Sequence, residues 1–308
     1  MASSTCYWQW VAISAVILFL ASPVSAQLGD QLASYTGRNA SGYLEPLVNA
    51  FGADLNAGLY HSAYIPKGGF HVSLEMLFMS AYFTDEDRTF AATTESGFRP
   101  EQTIEAPTVV GSQKAVYVDG NAGTRFAFPG GFNLNSFSFA VPQLRIGSIY
   151  GTEALVRFAF WNTGDSYIGE FDLYGVGLRH SVSQYLGANF PIDAAIGAFW
   201  QRFSMGDNER GDEIVTAEAV SVGLHMSKRF GMLEPYGGLS YDLFSVDVSY
   251  KGDTPEDKIQ LGLETDDFIH MTLGFSFNVS FVSAFGQYNI GAQNAFALGL
   301  AFQYGASR

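Results

Sequence analysis

The chain has 308 residues, of which 47% are hydrophobic, 15% aromatic and only 15% charged, and its net charge is −14. An acidic balance of this size excludes a nucleic-acid partner, because displacing counterions from phosphates needs a basic stripe. The one cysteine, Cys6, lies in a segment expected to be removed, so disulfides, thiolate zinc sites and cysteine nucleophiles are excluded from the mature chain.

The N-terminus reads as an export signal. Trp10 to Ala21 is a compact apolar run, Pro23 follows it, and Val24-Ser25-Ala26 offers the small residues that signal peptidase requires. Cleavage between Ala26 and Gln27 defines a signal of residues 1–26, although no Lys or Arg precedes the apolar run. The run falls short of the roughly 20 apolar residues that cross a bilayer as a helix. No later window is long and apolar enough to do so.

Residues 27–50 are expected to form a short helical, plug-like segment, because Leu28, Leu32 and Tyr35, then Tyr43, Leu44, Leu47 and Val48, are spaced as on amphipathic helices. From residue 51 to the end the pattern changes to period 2, which marks strands with one apolar face. The clearest cases are Phe70-Val72-Leu74-Met76-Phe78, Ile269-Met271-Leu273-Phe275-Phe277 and Phe296-Leu298-Leu300-Phe302-Tyr304, whose intervening residues are small or polar. A soluble sandwich shows the same period. Here the second face is rich in Gly and Ala rather than in charge, the strands run well past the usual 5 or 6 residues, and aromatics such as Tyr236, Tyr250, Tyr288 and Tyr304 sit near strand ends.

These features predict an all-β fold, a transmembrane antiparallel up-and-down β-barrel of about twelve strands within a range of 10 to 14. The candidates are 51–62, 69–83, 114–128, 136–149, 153–163, 169–180, 190–205, 213–228, 235–250, 267–278, 281–290 and 294–304. The third is weakly patterned and is kept because single-chain bacterial barrels have even strand numbers. With both termini on the periplasmic side, the charged stretches 206–213 and 251–267 fall in outward loops, and RFGML (229–233) and NVS (278–280) are short inner turns. Residues 84–113 then form a long periplasmic or lumenal insertion, expected to pack across the barrel mouth.

Taken together, YLEPLVNAFGADLNAGLYHSA (43–63), APTVVGS (106–112), GTEALVRFAF (151–160), VGLRHSVSQYL (176–186) and QYNIG (287–291) resemble an uncharacterised family of signal-bearing outer-membrane barrels of Gram-negative bacteria. More remotely, the architecture resembles the long-chain fatty-acid transporter barrels, which carry an N-terminal plug and move hydrophobic compounds. The resemblance implies the fold and an outer-membrane location. It implies no biochemical role.

Catalytic chemistry has little support in the sequence. The histidines His61, His71, His180, His225 and His270 show no helical zinc spacing. His270 shares a strand face with Thr272 and Ser276, but no orienting carboxylate is implied. No enzymatic activity, cofactor or metal is expected. Glu75, Arg157, Asp193, His225, Asp242 and His270 all fall on the small or polar face of their strands and are the candidate lumen lining. Arg157 is expected to pair with an acidic neighbour, since a buried charge needs a partner. Three functions remain open: a channel or transporter for small solutes, hydrophobic ones included; a structural or surface-interaction barrel with a closed lumen and acidic outer loops; and, last, a membrane-embedded hydrolase. The expected partners are the lipid bilayer and the outer-membrane assembly machinery.

Mass spectrometry of protein extracted from membranes should give Gln27 as the first residue. Retention of Met1 there would refute the signal assignment.

Overall fold

The structure, a computed structural model, describes residues 35–305 apart from 36, 96, 163–169, 188–189, 207–212, 252–257 and 265–268. The signal segment and the Ala26–Gln27 junction lie outside the described residues.

One helix precedes the strands. It is α1 (Gly37–Asn56), longer and later than the sequence predicts. The first wall strand is β1 (Gly68–Tyr82). Two small hairpins follow, β2 (Thr89–Thr93) with β3 (Thr103–Pro107) and β4 (Val116–Asp119) with β5 (Arg125–Phe128), each in its own two-stranded sheet. The wall resumes with β6 (Ser136–Ile149), β7 (Thr152–Asn162), β8 (Glu170–Ser181), β9 (Asp193–Gly206), β10 (Glu213–Ser227) and β11 (Leu233–Lys251). It ends with β12 (Lys258–Glu264), β13 (Ile269–Val279), β14 (Val282–Ile290) and β15 (Ala295–Gly305).

Every pairing in the wall is antiparallel, and two of them close the ring: β1 pairs with β15, and β10 pairs with β11. The result is a ten-stranded barrel in the order β1-β6-β7-β8-β9-β10-β11-β13-β14-β15. β11 is long enough to pair with β13 over its first half and with β12 beyond it; the register moves by one residue between Tyr241↔Ile269 and Ser245↔Glu264. Closure removes the free edges that an open sheet would expose to lipid.

Two expected wall strands are absent from the ring. Residues 51–62 are the last turns of α1 and an extended linker, and 114–128 are the β4–β5 hairpin. The number stays even and within the expected range. The physical cause of the first misreading is that Phe51, Ala53, Leu55, Ala57 and Leu59 alternate as a strand would, whereas the segment is covered by protein all round and has no single polar face to betray a helix.

Losing the first strand reverses the direction assigned to β1. Its start at His71 pairs with Gly305 and its end at Ala81 pairs with Ala295. Residues 83–135 therefore lie at the end of the barrel away from the C-terminus, not at the C-terminal end where the sequence placed 84–113. The same end receives the strand ends flanking 163–169, 207–212 and 252–257; most of the charged stretches 206–213 and 251–267 lies outside the described residues. The opposite end has short turns at Tyr150-Gly151, 228–232 and Ser280-Phe281, and one longer connection, 182–192, between β8 and β9. These two ends are called here the loop end and the turn end.

The outer surface is an apolar belt. Leu74, Phe160, Leu178, Val222, Leu273, Leu298 and Phe302, from strands all round the ring, are each at least half exposed. In water such a continuous surface would be strongly unfavourable, and it is what a lipid-facing barrel presents. Tyr288 and Tyr304 join that outer face, but Tyr236 points inward and is buried, against the expectation of a girdle position. Tyr250 lies where side chains are outside the described residues.

Leu273→Arg and Leu298→Arg put a charge at mid-strand on the lipid face, and each should cost roughly 2–4 kcal/mol. Thr272→Ser, which keeps the hydroxyl that bonds Asn289 Oδ1 at 2.7 Å, should be mild. Heat-modifiable mobility on gels reads the difference; arginine variants as heat-resistant as the parent would mean that the faces are reversed.

Candidate functional site in the lumen

The chain enters the barrel from the loop end. The Asn39 side chain bonds the backbone of Thr93 and the Glu95 carboxylate, Tyr43 donates to Gly130 O at 3.0 Å, and Val109 N donates to Tyr43 O at 2.9 Å. These contacts tie the start of α1 to the two hairpins. Tyr35, Ala92, Ala106, Val109, Val110 and Phe128 bury together there and form a cap over that mouth. Twenty residues of α1 span about 30 Å at 1.5 Å each, so the helix descends far into the lumen. Phe51 packs edge-on against inward rings of three strands, Phe139 of β6, Phe203 of β9 and Phe244 of β11. Below Asn56 the chain runs on as an extended linker to Gly68 at the turn end.

Ending a helix inside a protein leaves its last carbonyls without amide partners, and the end carries partial negative charge. The wall supplies the donors. Arg157 Nη1 donates to Leu55 O at 2.7 Å and Nη2 to Ala57 O at 3.0 Å. Gln201 Nε2 also donates to Leu55 O at 2.7 Å, and Gln143 Nε2 to Gly58 O at 3.4 Å. Arg157 is fully buried. Among the described residues it has no ion pair; the acidic partner expected from sequence is replaced by carbonyls and by the amide oxygens of Gln143 and Gln201. Gly175 on β8 stands in register between Arg157 and Gln201, and a Cβ there would collide with Gln201, so the missing side chain lets the two meet.

Toward the turn end a charged network surrounds the linker. Glu75 accepts from Gln143 Nε2 at 2.9 Å and from Arg145, whose guanidinium also bonds His61 on the linker. Glu153 accepts from Arg179 Nη1 at 2.6 Å and lies 2.9 Å from His71 Nε2. Arg179 in turn donates its Nε to His225 Nε2 at 3.0 Å and bonds Ser62 O. Gly197, between β8 and β10, leaves the gap through which Arg179 reaches His225. Tyr60 stacks on His225 at 4.1 Å, His61 stacks on Phe285 at 4.4 Å, and Ser62 with Ser227 holds Glu234 at 2.6 Å.

All six candidates from the sequence point into the barrel. Glu75, Arg157 and His225 join the system around the threaded segment. Asp242 and His270 pair with each other on β11 and β13, beside a cavity of about 40 Å³ that Asn56 also lines. Asp193 is buried at the turn end of β9, apart from the others. Sequence reasoning missed Gln143, Arg145, Glu153, Arg179, Gln201 and Glu234. Each has the same inward parity on an otherwise apolar strand, which was the available signal.

The hydrolase candidates are dispersed. His270 engages Asp242, Thr272 engages Asn289, and Ser276 Oγ lies 3.5 Å from His61 Nδ1. Ser276 is fully buried, and the other nitrogen of His61 is held by Arg145, so this is not the arrangement of an activated nucleophile. Among the described residues, no group of three or more His, Cys, Asp or Glu is placed to hold a metal.

Fold and lumen together define a transmembrane β-barrel filled by its own N-terminal segment. The chain belongs to the family described as "Family of unknown function (DUF6588)", whose model matches residues 7–304. Comparison with curated proteins finds no match. Solved structures with some likeness include the loop L8 deletion mutant of OmpT, an outer membrane protein of Vibrio cholerae, at 10% identity and TM-score 0.29, covering 77% of this chain and 100% of that one. The translocator domain of the autotransporter NalP from Neisseria meningitidis has 10% identity and TM-score 0.31, with 85% and 99% covered. A Pseudomonas aeruginosa FadL homologue has 9% identity and TM-score 0.24, with 89% and 93% covered. Likeness at this level carries no functional argument.

Arg157→Met removes the donor from Ala57 O and one of the two donors to Leu55 O while keeping much of the bulk. Leaving a buried carbonyl unsatisfied costs about 1–3 kcal/mol, so the melting temperature of the refolded barrel should fall, and less so for Arg157→Lys. Equal stability of the methionine variant and the parent would show that these bonds contribute nothing.

Proposed function

We propose that the protein is an outer-membrane barrel of a Gram-negative bacterium that is closed at rest and serves as a structural or surface-interaction barrel through its loop end. The observation that carries this reading is the set of side-chain bonds from the wall to the backbone of the threaded segment: Arg157 and Gln201 to Leu55 O, Arg157 to Ala57 O, Gln143 to Gly58 O and Arg179 to Ser62 O. A solute would have to break these to pass. The interior beside them is occupied by Leu55 and Leu77, each essentially inaccessible. The loop end supports the second half of the proposal. Residues 83–135 form a folded cap and carry more acidic than basic side chains, as do 206–213 and 251–267. Its partners on this reading are the bilayer, the assembly machinery that inserts it and whatever its acidic face meets outside. No enzymatic activity or cofactor is part of the proposal.

A second reading, a gated transporter of small solutes with hydrophobic ones included, draws support from one feature. The turn end opens into a vestibule of about 540 Å³ that stops at His61 and Arg145. Transport would then require withdrawal of the linker and α1.

Refolded protein in planar bilayers should show no steady conductance, and the double variant Arg157→Ala, Gln201→Ala should show frequent openings as the segment loosens. A parent protein conducting continuously, as an open porin does, would overturn the closed reading.

A further inference from the structure

The vestibule at the turn end has an uneven supply of hydrogen-bonding groups. Its carboxylates are engaged: Glu153 accepts from Arg179 and faces His71, and Glu234 accepts from Ser62 and Ser227. Two of its buried donors are not. Arg145 is only 5% exposed and lines the cavity; its Nε and Nη2 engage Glu75 and His61, but its Nη1 lies 3.7 Å from the nearest carboxylate oxygen, Glu153 Oε1, beyond hydrogen-bond reach. Asn278 is 9% exposed and lines the same cavity, and its Nδ2 has no partner. Its Oδ1 accepts from Ser283 Oγ at 2.6 Å and from Ser276 Oγ at 3.3 Å, while its nitrogen has no partner. Arg229 stands at the cavity as a second, half-buried cation.

A cavity roomy enough for a small molecule, with satisfied acceptors and unsatisfied donors on β6 and β13, calls for a ligand that brings acceptors. We propose that the vestibule binds a small oxyanion, a carboxylate or a phosphate, entering from the turn end, with Arg145 Nη1 and Asn278 Nδ2 as its donors and Arg229 at its entrance. Arg145 is already fixed by Glu75 and His61, so the site is preorganised and little side-chain entropy is lost on binding. The site does not depend on whether the lumen conducts, since the ligand need not go beyond His61.

Calorimetric titration of the refolded barrel in detergent, with sodium benzoate in one arm and sodium phosphate in the other, tests this against a sodium chloride control. Saturable binding of at least one probe is expected, and the arm that binds tells carboxylate from phosphate. Asn278→Asp replaces the free donor with an acceptor of like charge to the ligand and should weaken binding by roughly tenfold or more, on the scale of one charge-assisted hydrogen bond. If that variant fails to assemble, Arg229→Gln at the entrance should weaken binding by a few-fold while folding normally. Neither probe binding to the heat-modifiable parent, or unchanged affinity in whichever variant folds, overturns the proposal.

Discussion

A helix that ends inside a barrel needs donors for its last carbonyls, and the lumen provides no bulk water to supply them. Arg157 meets that need for α1, with Gln143 and Gln201 beside it. A lone guanidinium buried in an apolar interior would be strongly unfavourable. Here the carbonyls of Leu55 and Ala57 and the amide oxygens of two glutamines surround it, so the charge and the helix end compensate each other. Gly175 belongs to the same device, because only a residue without a side chain lets β7 and β9 reach across β8.

The polar interior follows from that constraint. Below Asn56 the threaded chain is extended, and its backbone cannot satisfy itself as a helix does. The wall answers with Arg179 on Ser62 O and Ser227 on Ala63 N. Side chains of the linker enter the same network, His61 through Arg145 and Ser62 through Glu234. Each wall cation in turn needs an anion or a carbonyl, which accounts for Glu75 and Glu153 on inward positions of apolar strands. The lumen is thus polar because a piece of chain runs through it, whereas the outer face is apolar because lipid offers no partners at all.

The two mouths differ for a related reason. At the loop end the connection from β1 to β6 is long enough to fold into two hairpins, and their apolar sides bury Tyr35 and Tyr43 of the entering chain. At the turn end no described connection folds into hairpins over the opening, and the charged network meets a vestibule there. Apolar packing therefore lines one mouth, and the charged network around His61 lines the other.

The sequence by itself determined the strands, their two faces and the barrel. Period-2 alternation is a local property, since each side chain's face follows from its parity within a strand, and Leu273 and Leu298 could be set toward lipid and His225 toward the lumen without knowing any partner. The tertiary structure alone decided that 51–62 enters the lumen instead of the wall, that the 84–113 region lies at the loop end, and that Arg157 holds a helix end instead of a carboxylate. The reason is shared by all three. A segment enclosed by a barrel is buried on every side and shows no amphipathic face, strand direction is fixed only when β1 closes on β15, and a backbone carbonyl is present at every residue and leaves no mark in the sequence to show which one an arginine will find.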